Sequence, residues 1–110
     1  MIIEVSPRFE RDLKSLAKKY RKIADDLTHF KKEILHNPHS GTPLGNNFRK
    51  VRIPNSSIPT GKSGGFRVIT LLRIEHDRIV LLTIYSKTDK ENIGDGELQD
   101  ILKELDENAS

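Results

Sequence analysis

The chain has 110 residues and no cysteine, and charged residues make up 32% of it whereas aromatic residues make up 5%. This length suffices for one hydrophobic core without covalent staples, so we expect a single domain over residues 1–110. The lack of cysteine excludes a disulfide framework, a thiolate nucleophile and a cysteine-based zinc site.

The net charge of +3 conceals an uneven distribution of charged residues along the chain. Residues 49–90 carry nine Lys/Arg and three Asp/Glu, whereas residues 91–110 carry one Lys and seven Asp/Glu. A basic segment of this kind is one feature of a surface that binds a phosphate backbone. Ordinary solvation of surface lysines is the alternative, and the net charge alone does not decide between them.

The first residues, Met1-Ile2-Ile3-Glu4-Val5, lack the basic start and long apolar run of a secretory signal peptide. No apolar stretch reaches the roughly 20 residues that a membrane span requires. We therefore expect a cytoplasmic protein with no membrane partner.

Residues 2–5 predict a short strand. The following Ser6-Pro7 predicts a helix start, because serine caps helices and proline suits the first helical position. Apolar residues then recur alternately four and three positions apart, which indicates one continuous helical stripe. Its members are Phe9, Leu13, Leu16, Tyr20, Ile23, Leu27, Phe30 and Ile34. The stripe ends before His36-Asn37-Pro38, where the proline predicts a helix stop.

A single helix over residues 7–36 would be about 45 Å long. That length exceeds the dimensions of a domain of this size, whose radius of gyration is about 13 Å. We therefore predict a helical hairpin that bends near Lys18–Lys22. A coiled coil is the alternative interpretation of the same heptad spacing.

The second half of the chain predicts strands. After a predicted loop at residues 37–46, the segment Phe48–Ile53 alternates apolar and basic residues, which is typical of a strand with cationic outward side chains. A loop over residues 54–65 precedes two long apolar strands, Phe66–Glu75 and Arg78–Ser86, joined by a tight hairpin. An acidic amphipathic helix follows. The order β-αα-β-β-β-α predicts an α+β fold with one mainly antiparallel sheet, in which the last three strands form a meander.

Gly61-Lys62-Ser63 matches the end of a nucleotide-binding P-loop, but its context does not. A P-loop requires a glycine five residues before the Gly-Lys pair, where Ser56 stands, and a helix after it, where an apolar strand is predicted. His36 and His39 have no third partner that would complete a metal site. We therefore expect no nucleotide cofactor, no metal and no other cofactor.

Cations near the predicted strand ends are the main candidates for a functional site. They are Lys50, Arg52, Arg67, Lys87 and Lys90. Arg67 lies on an otherwise apolar strand, where a charge is unfavourable unless it faces a wet concavity or a partner. If the strands are neighbours, these cations meet at one end of the sheet. In the alternative, Arg67 pairs with Glu75 or Asp89 and the lysines are simply solvated.

Three short motifs in this order resemble the RelE/ParE superfamily of bacterial toxins from type II toxin–antitoxin systems. They are Lys50-Val51-Arg52, Gly61-Lys62-Ser63-Gly64-Gly65-Phe66-Arg67-Val68-Ile69 and Leu81-Leu82-Thr83-Ile84-Tyr85-Ser86-Lys87. The Gly-Lys-x-Gly-Gly loop is most similar to the HigB-like branch of RelE. The resemblance covers nearly the whole chain, and a helical hairpin at residues 7–36 fits the RelE-like layout.

The resemblance implies an mRNA interferase, an endoribonuclease that cleaves mRNA in the ribosomal A site and is held inactive by a cognate antitoxin. Such cleavage is a transesterification that needs a base, cations for the phosphorane charge and an acid. By motif position, Lys50 and Arg52 lie near the scissile phosphate, Arg67 clamps it, and Lys87 or Lys90 serves as acid or further phosphate contact. Further RNA contacts are expected from Arg49, Lys62, Gly64, Gly65 and Tyr85.

The chain departs from some RelE toxins, which carry an arginine shortly after the last strand and a tyrosine further on. Residues 88–94 contain neither, so the acid and base assignments stay open. Two alternatives to the nuclease remain at this point. One is a ParE-like inhibitor of DNA gyrase, and the other is an inactive relic that only binds its antitoxin.

Overall fold

The helices and strands follow the predicted order with one addition. The computed structural model describes residues 1–59, 64–90 and 92–108. Its elements are β1 (Ile2–Val5), α1 (Pro7–Lys19), α2 (Ile23–His36), β2 (Thr42–Gly45), β3 (Phe48–Ile53), β4 (Phe66–Arg73), β5 (Arg78–Ser86) and α3 (Asp95–Asn108). Within these ranges, no helix is both long enough and apolar enough to cross a membrane.

The strands of the described ranges form a five-stranded sheet in the order β1-β5-β4-β3-β2. β1 is parallel to β5, and the other neighbours are antiparallel. The predicted α+β fold is confirmed, but the meander has β2 as an additional strand inside the predicted loop at 37–46. The sequence gives little sign of β2, because its four residues are all exposed and include Pro43. An edge strand tolerates proline since one side of it makes no ladder hydrogen bonds.

The start of α1 is tied to β5 through its capping residue. The hydroxyl of Ser6 accepts a hydrogen bond from the Phe9 amide at 3.0 Å and donates one to the Leu82 carbonyl at 2.6 Å. Ser6 is fully buried, so both bonds are shielded from water. The predicted N-cap is therefore correct, and it also fixes where α1 sits against the sheet.

The predicted bend near Lys18–Lys22 is confirmed, since α1 ends at Lys19 and α2 begins at Ile23. No glycine makes this bend. Tyr20 instead leaves the helical conformation, with φ −120° and ψ 99°. Its buried ring packs edge-to-face on Phe66, with ring centroids 5.3 Å apart. Packing of one aromatic side chain on the sheet thus marks the turn of the hairpin.

The sheet has a hydrophobic core on each face. The helical hairpin covers one face with the predicted stripe, of which Phe9, Tyr20, Ile23, Leu27, Phe30 and Ile34 are buried. α3 covers part of the other face with Leu98, Ile101 and Leu105. The candidate site lies on that second face, at the end of the sheet where β4 begins and β5 ends.

The predicted hairpin between the last two long strands differs in detail. β4 ends at Arg73 rather than Glu75, and Ile74–His76 forms a turn of 3-10 helix. Asp77 then adopts a left-handed conformation at φ 51° and ψ 45° before β5 begins. Aspartate tolerates this conformation better than bulkier residues do, which explains why the turn closes without glycine.

A β-bulge in β5 sets the direction of its last side chains. Ile69 pairs with Thr83 and Thr70 pairs with Leu81, so Leu82 is the extra residue. Leu81 and Ile84 therefore belong to the hairpin-side core, and Tyr85 belongs to the α3-side core. Strict alternation from Leu81 would have put Tyr85 on the hairpin side.

Neighbouring residues of α2 test the assignment of its buried face. Ile34 is fully buried, whereas Leu35 is 44% exposed. We expect Ile34→Ala to lower the free energy of unfolding by about 2–5 kcal/mol, because it leaves a cavity in the core. Leu35→Ala should change it by no more than about 0.5 kcal/mol. Urea unfolding of both variants measures the difference, and equal losses would show that the helix is rotated.

Candidate functional site

A row of cross-strand neighbours lies near one end of the sheet. Arg52 on β3 pairs with Arg67 on β4, and Arg67 pairs with Tyr85 on β5. Side chains directly opposite each other on antiparallel strands have Cβ atoms about 4.5–5.5 Å apart. Lys50 shares the face of Arg52, two residues along β3. We call Arg52, Arg67 and Tyr85 the basic row.

Arg67 is almost completely buried, with 3% of its surface exposed. One guanidinium nitrogen, Nη1, donates a hydrogen bond to the Phe66 carbonyl at 3.2 Å. Burial lowers the pKa of Arg67, and the charge of Arg52 lowers it further. An arginine nevertheless stays protonated. The row therefore brings two positive charges directly opposite each other on neighbouring strands.

The acidic partners considered for Arg67 in the sequence lie elsewhere. Arg73 is about 20 Å from Arg67 along β4 at the usual rise per residue, and Glu75 lies beyond it, so an Arg67–Glu75 pair is excluded. The Asp89 carboxylate lies 3.8 Å from the Lys19 ammonium. That contact directs Asp89 towards the bend of the helical hairpin.

Tyr85 contributes a hydroxyl to the row. The side chain is 7% exposed, and its hydroxyl has no hydrogen-bond partner among residues 1–59, 64–90 and 92–108. Burial raises the pKa of Tyr85, although the charge of Arg67 opposes this. The hydroxyl thus stays protonated at neutral pH and remains a hydrogen-bond donor on the strand next to Arg67. A buried hydroxyl without a partner is unfavourable, so its place in the fold calls for an explanation.

The segment after β5 brings Lys90 to the site and contacts Lys50 of β3. Lys90 Nζ lies 5.7 Å from the centroid of the Tyr85 ring and donates to both carboxylate oxygens of Glu97, at 2.5 and 2.6 Å. Lys50 Nζ donates to the Asn92 side-chain carbonyl at 3.1 Å. The chain between β5 and α3 is therefore held at two points, by the contact of Asn92 with Lys50 of β3 and by the contact of Lys90 with Glu97 of α3.

Glu97 lies in the first turn of α3, where an acidic residue also complements the helix dipole. Its carboxylate accepts a hydrogen bond from Arg8 Nη2 at 2.5 Å as well as those from Lys90. Burial acts to raise the pKa of Glu97, but the hydrogen bonds and charges of Lys90 and Arg8 outweigh it, so the pKa is lowered. Glu97 is therefore ionised at neutral pH.

The remaining candidate residues are less closely grouped. Lys87 is exposed in the turn after β5, and its amide donates to the Gly65 carbonyl at 3.1 Å. Arg49 pairs with Pro43 and Thr70, and strand alternation places it on the face of β3 opposite to Lys50. Gly64 is half-buried just before β4. Lys62 lies outside the described residues.

Gly65 has a packing role that the sequence did not reveal. A Cβ atom built on it would lie 2.0 Å from the Ile53 carbonyl oxygen and 3.1 Å from the Asn55 amide nitrogen. No side chain fits this gap, because both neighbours are backbone atoms. The absence of a side chain lets β3 and β4 approach at the end of the basic row.

The sequence did not predict Glu97, Arg8 and Asn92 as parts of the site. Arg8 and Asp12 are four residues apart in α1 and form an ion pair at 3.1 Å, which their spacing could have indicated. The contacts of Arg8 and Lys90 with Glu97 carry no comparable signal, because Arg8 and Glu97 are far apart in sequence. Among the described residues, no group of histidine and acidic side chains could hold a metal ion.

An open cleft adjoins the candidate site. It has a volume of about 260 Å³ and lies between α1 and the end of β5, with Arg8, Asp12, Tyr85 and Lys90 in its lining. A larger cleft of about 540 Å³ is lined by residues 71–76 and Asn47, at the opposite end of β4. We locate the site beside the smaller cleft because Tyr85 of the basic row and Lys90 line it.

Comparison with known proteins gives a family and a fold. The family described as "RelE toxin of RelE / RelB toxin-antitoxin system" matches residues 9–109. The fold is similar to that of a mutant of the E. coli toxin RelE in the free state, with a TM-score of 0.56 and 14% identity. That similarity covers 97% of this chain and 95% of the E. coli chain. No curated protein sequence matches the chain.

Substitutions of two glycines test whether the close approach of β3 and β4 requires a residue without a side chain. Gly65→Ala should lower the free energy of unfolding by about 1–3 kcal/mol, since the new methyl group forces two strands apart. Gly96→Ala is the control, because it is in the first turn of α3 and a Cβ atom added there would have no neighbouring atom within 4 Å. It should stabilise the protein by up to about 1 kcal/mol. Thermal unfolding of both variants measures this, and a harmless Gly65→Ala would contradict the packing described.

Proposed function

The chain belongs to the RelE toxin family, the toxin half of RelE/RelB toxin–antitoxin systems, and we propose that it is a ribosome-dependent mRNA endoribonuclease. It acts as a single cytoplasmic domain without a cofactor and inhibits translation by cutting mRNA in the ribosomal A site. Within the family we assign it to the HigB-like branch, on the Gly-Lys-Ser-Gly-Gly sequence at residues 61–65.

The basic row is the observation that supports this proposal most. Two guanidinium groups on neighbouring strands and a tyrosine hydroxyl without a partner among the described residues share one face. A phosphate bound at the row would contact both guanidinium groups and accept a hydrogen bond from Tyr85. Arginine suits this role because its planar group can bind phosphate oxygens in pairs.

The proposed reaction is an internal transesterification of RNA. The ribose 2′-oxygen attacks the adjacent phosphorus while a base takes the 2′-hydroxyl proton. The bond between phosphorus and the 5′-oxygen breaks as an acid gives that oxygen a proton. The products are a 2′,3′-cyclic phosphate and a 5′-hydroxyl, so atoms and charge balance without a metal or redox partner.

The side chains at the site divide these tasks. Arg67 clamps the scissile phosphate, and Arg52 and the Tyr85 hydroxyl help to stabilise the charge that builds on the phosphorane. We assign Lys90 as the proton donor to the leaving oxygen and Lys50 as the nearest group to the 2′-hydroxyl. Lys87, Lys62 and the backbone at Gly64 and Gly65 provide outer contacts with the RNA, whereas Arg49, on the opposite face of β3, is the expected contact that this arrangement supports least.

The same end of the molecule carries further exposed cations at the bend of the helical hairpin. They are Lys18, Lys19, Arg21 and Lys22. The Lys22 amide donates to the Ser57 hydroxyl at 3.1 Å, which places this bend beside the loop that leaves β3. These charges extend the positive surface around the basic row and support binding to the RNA-rich ribosome. The RelE family also implies a cognate antitoxin as the protein partner.

Arg67→Ala tests the catalytic assignment. Its side chain would act mainly on the charge of the transition state, so cleavage on programmed ribosomes should slow by about 10²–10³-fold, the range found when one preorganised donor is removed. Ribosome binding should weaken much less, because the other cations remain. Single-turnover cleavage and ribosome co-sedimentation on the same preparation measure the two effects.

Arg73→Ala is the matched control. Arg73 lies on the same strand and the same face, but at the far end of β4, where it contacts Asp106 at 3.5 Å. This variant should cleave at nearly the wild-type rate. If Arg67→Ala melts at a lower temperature yet cleaves as fast as Arg73→Ala, Arg67 is structural and the assignment is wrong. A wild-type protein that leaves mRNA intact but blocks gyrase supercoiling would instead support the ParE-like alternative.

A further inference from the structure

The contacts of Glu97 connect α3 to the proposed proton donor. Its two carboxylate oxygens receive Lys90 Nζ at 2.5 and 2.6 Å. A solvated lysine samples many rotamers, and ordering such a side chain is opposed by the loss of conformational entropy. The two-oxygen contact removes much of that freedom. It holds the ammonium group 5.7 Å from the Tyr85 ring centroid, at the edge of the basic row.

Glu97 is itself held from a second direction. Arg8 Nη2 donates to Glu97 Oε2 at 2.5 Å, and Arg8 Nε donates to Asp12 Oδ1 at 3.1 Å. Asp12 in turn accepts a hydrogen bond from the Thr83 hydroxyl of β5 at 2.5 Å. The carboxylate therefore has a position fixed by α1 and β5, and not by α3 alone.

We infer that Glu97 is a positioning residue for the cleavage reaction: it aims Lys90 at the phosphate bound in the basic row. This inference rests on the proposed nuclease function. Glu97 acts through Lys90 and does not itself touch the RNA. Arg8 is the residue that keeps the Glu97 carboxylate in place.

The competing explanation is that Glu97 merely fastens α3 to α1. The chain contains a control for this, because Glu104 lies seven residues further along α3, on the same side of the helix. Glu104 binds Arg11 of α1 through two hydrogen bonds, at 2.6 and 2.9 Å. It fastens the same two helices together, and no hydrogen bond or ion pair shown by the structure joins it to Lys90.

The experiment compares Glu97→Gln with Glu104→Gln in single-turnover cleavage on programmed ribosomes. Glu97→Gln should lower the maximal rate roughly 10-fold or more, because a reacting group displaced by about 1 Å can lose up to 10²-fold in rate. Its half-saturating ribosome concentration should change little. Glu104→Gln should cleave within about 3-fold of wild type, while both variants show a similar shift in melting temperature.

A double variant separates positioning from fastening. Lys90→Met should already be slow, and adding Glu97→Gln should slow it little further, because Glu97 would then have nothing left to aim. Arg8→Gln is a second single variant, which keeps the Lys90 contact but loosens the carboxylate, and it should show a smaller loss of maximal rate. If Glu97→Gln folds poorly, Arg8→Gln tests the positioning role in its place.

Several results would overturn the inference. Equal rates for Glu97→Gln and Glu104→Gln would show that Glu97 only fastens helices. Faster cleavage by Glu97→Gln would show that it sequesters Lys90 rather than aiming it. Full additivity of Glu97→Gln and Lys90→Met would show that the two act independently. No cleavage by the wild-type protein would instead overturn the proposed function, and this role for Glu97 with it.

Discussion

Burial of the Arg67 charge is the constraint on which the end of the sheet that carries the candidate site depends. The guanidinium group lies on an apolar strand with 3% of its surface exposed, and Arg52 is its direct cross-strand neighbour. Either feature alone opposes folding, since burial removes water from the charge and Arg52 repels it. Because Arg67 is buried and lies opposite Arg52, positive electrostatic potential is concentrated at this point of the sheet. The surrounding apolar protein has a low dielectric constant, which strengthens the field there.

The local backbone is arranged to keep that charge in place. Gly65 allows β3 and β4 to approach where a side chain would strike the Ile53 carbonyl. The bulge at Leu82 turns Tyr85 towards Arg67 and away from the helical hairpin. α1 and α3 then meet through Arg8 and Glu97 beside the same strand end. These features come from four different parts of the chain, so the site is a product of the tertiary structure.

The sequence predicts the parts of the structure that have a local signal. The hairpin of α1 and α2 follows from a regular apolar stripe and a capping serine, and Arg67 stands out because a charge interrupts an apolar strand. β2 is missed because Thr42–Gly45 has no buried face and lies at an edge. The bulge at Leu82 has no residue signature, so the direction of Tyr85 was not predictable. The Glu97 contacts with Arg8 and Lys90 depend on how α3 docks, which periodicity within α3 does not specify.

Membership of the RelE family and the similarity of fold are independent of these side-chain contacts, and at 14% identity the E. coli structure bears on the fold alone. The chemistry therefore needs its own test, which is analysis of the mRNA ends after the purified protein acts on ribosomes with a defined A-site codon. We expect one break within that codon, with a 2′,3′-cyclic phosphate upstream and a 5′-hydroxyl downstream. Intact mRNA on such ribosomes, or ends carrying a 3′-hydroxyl and a 5′-phosphate, would contradict it.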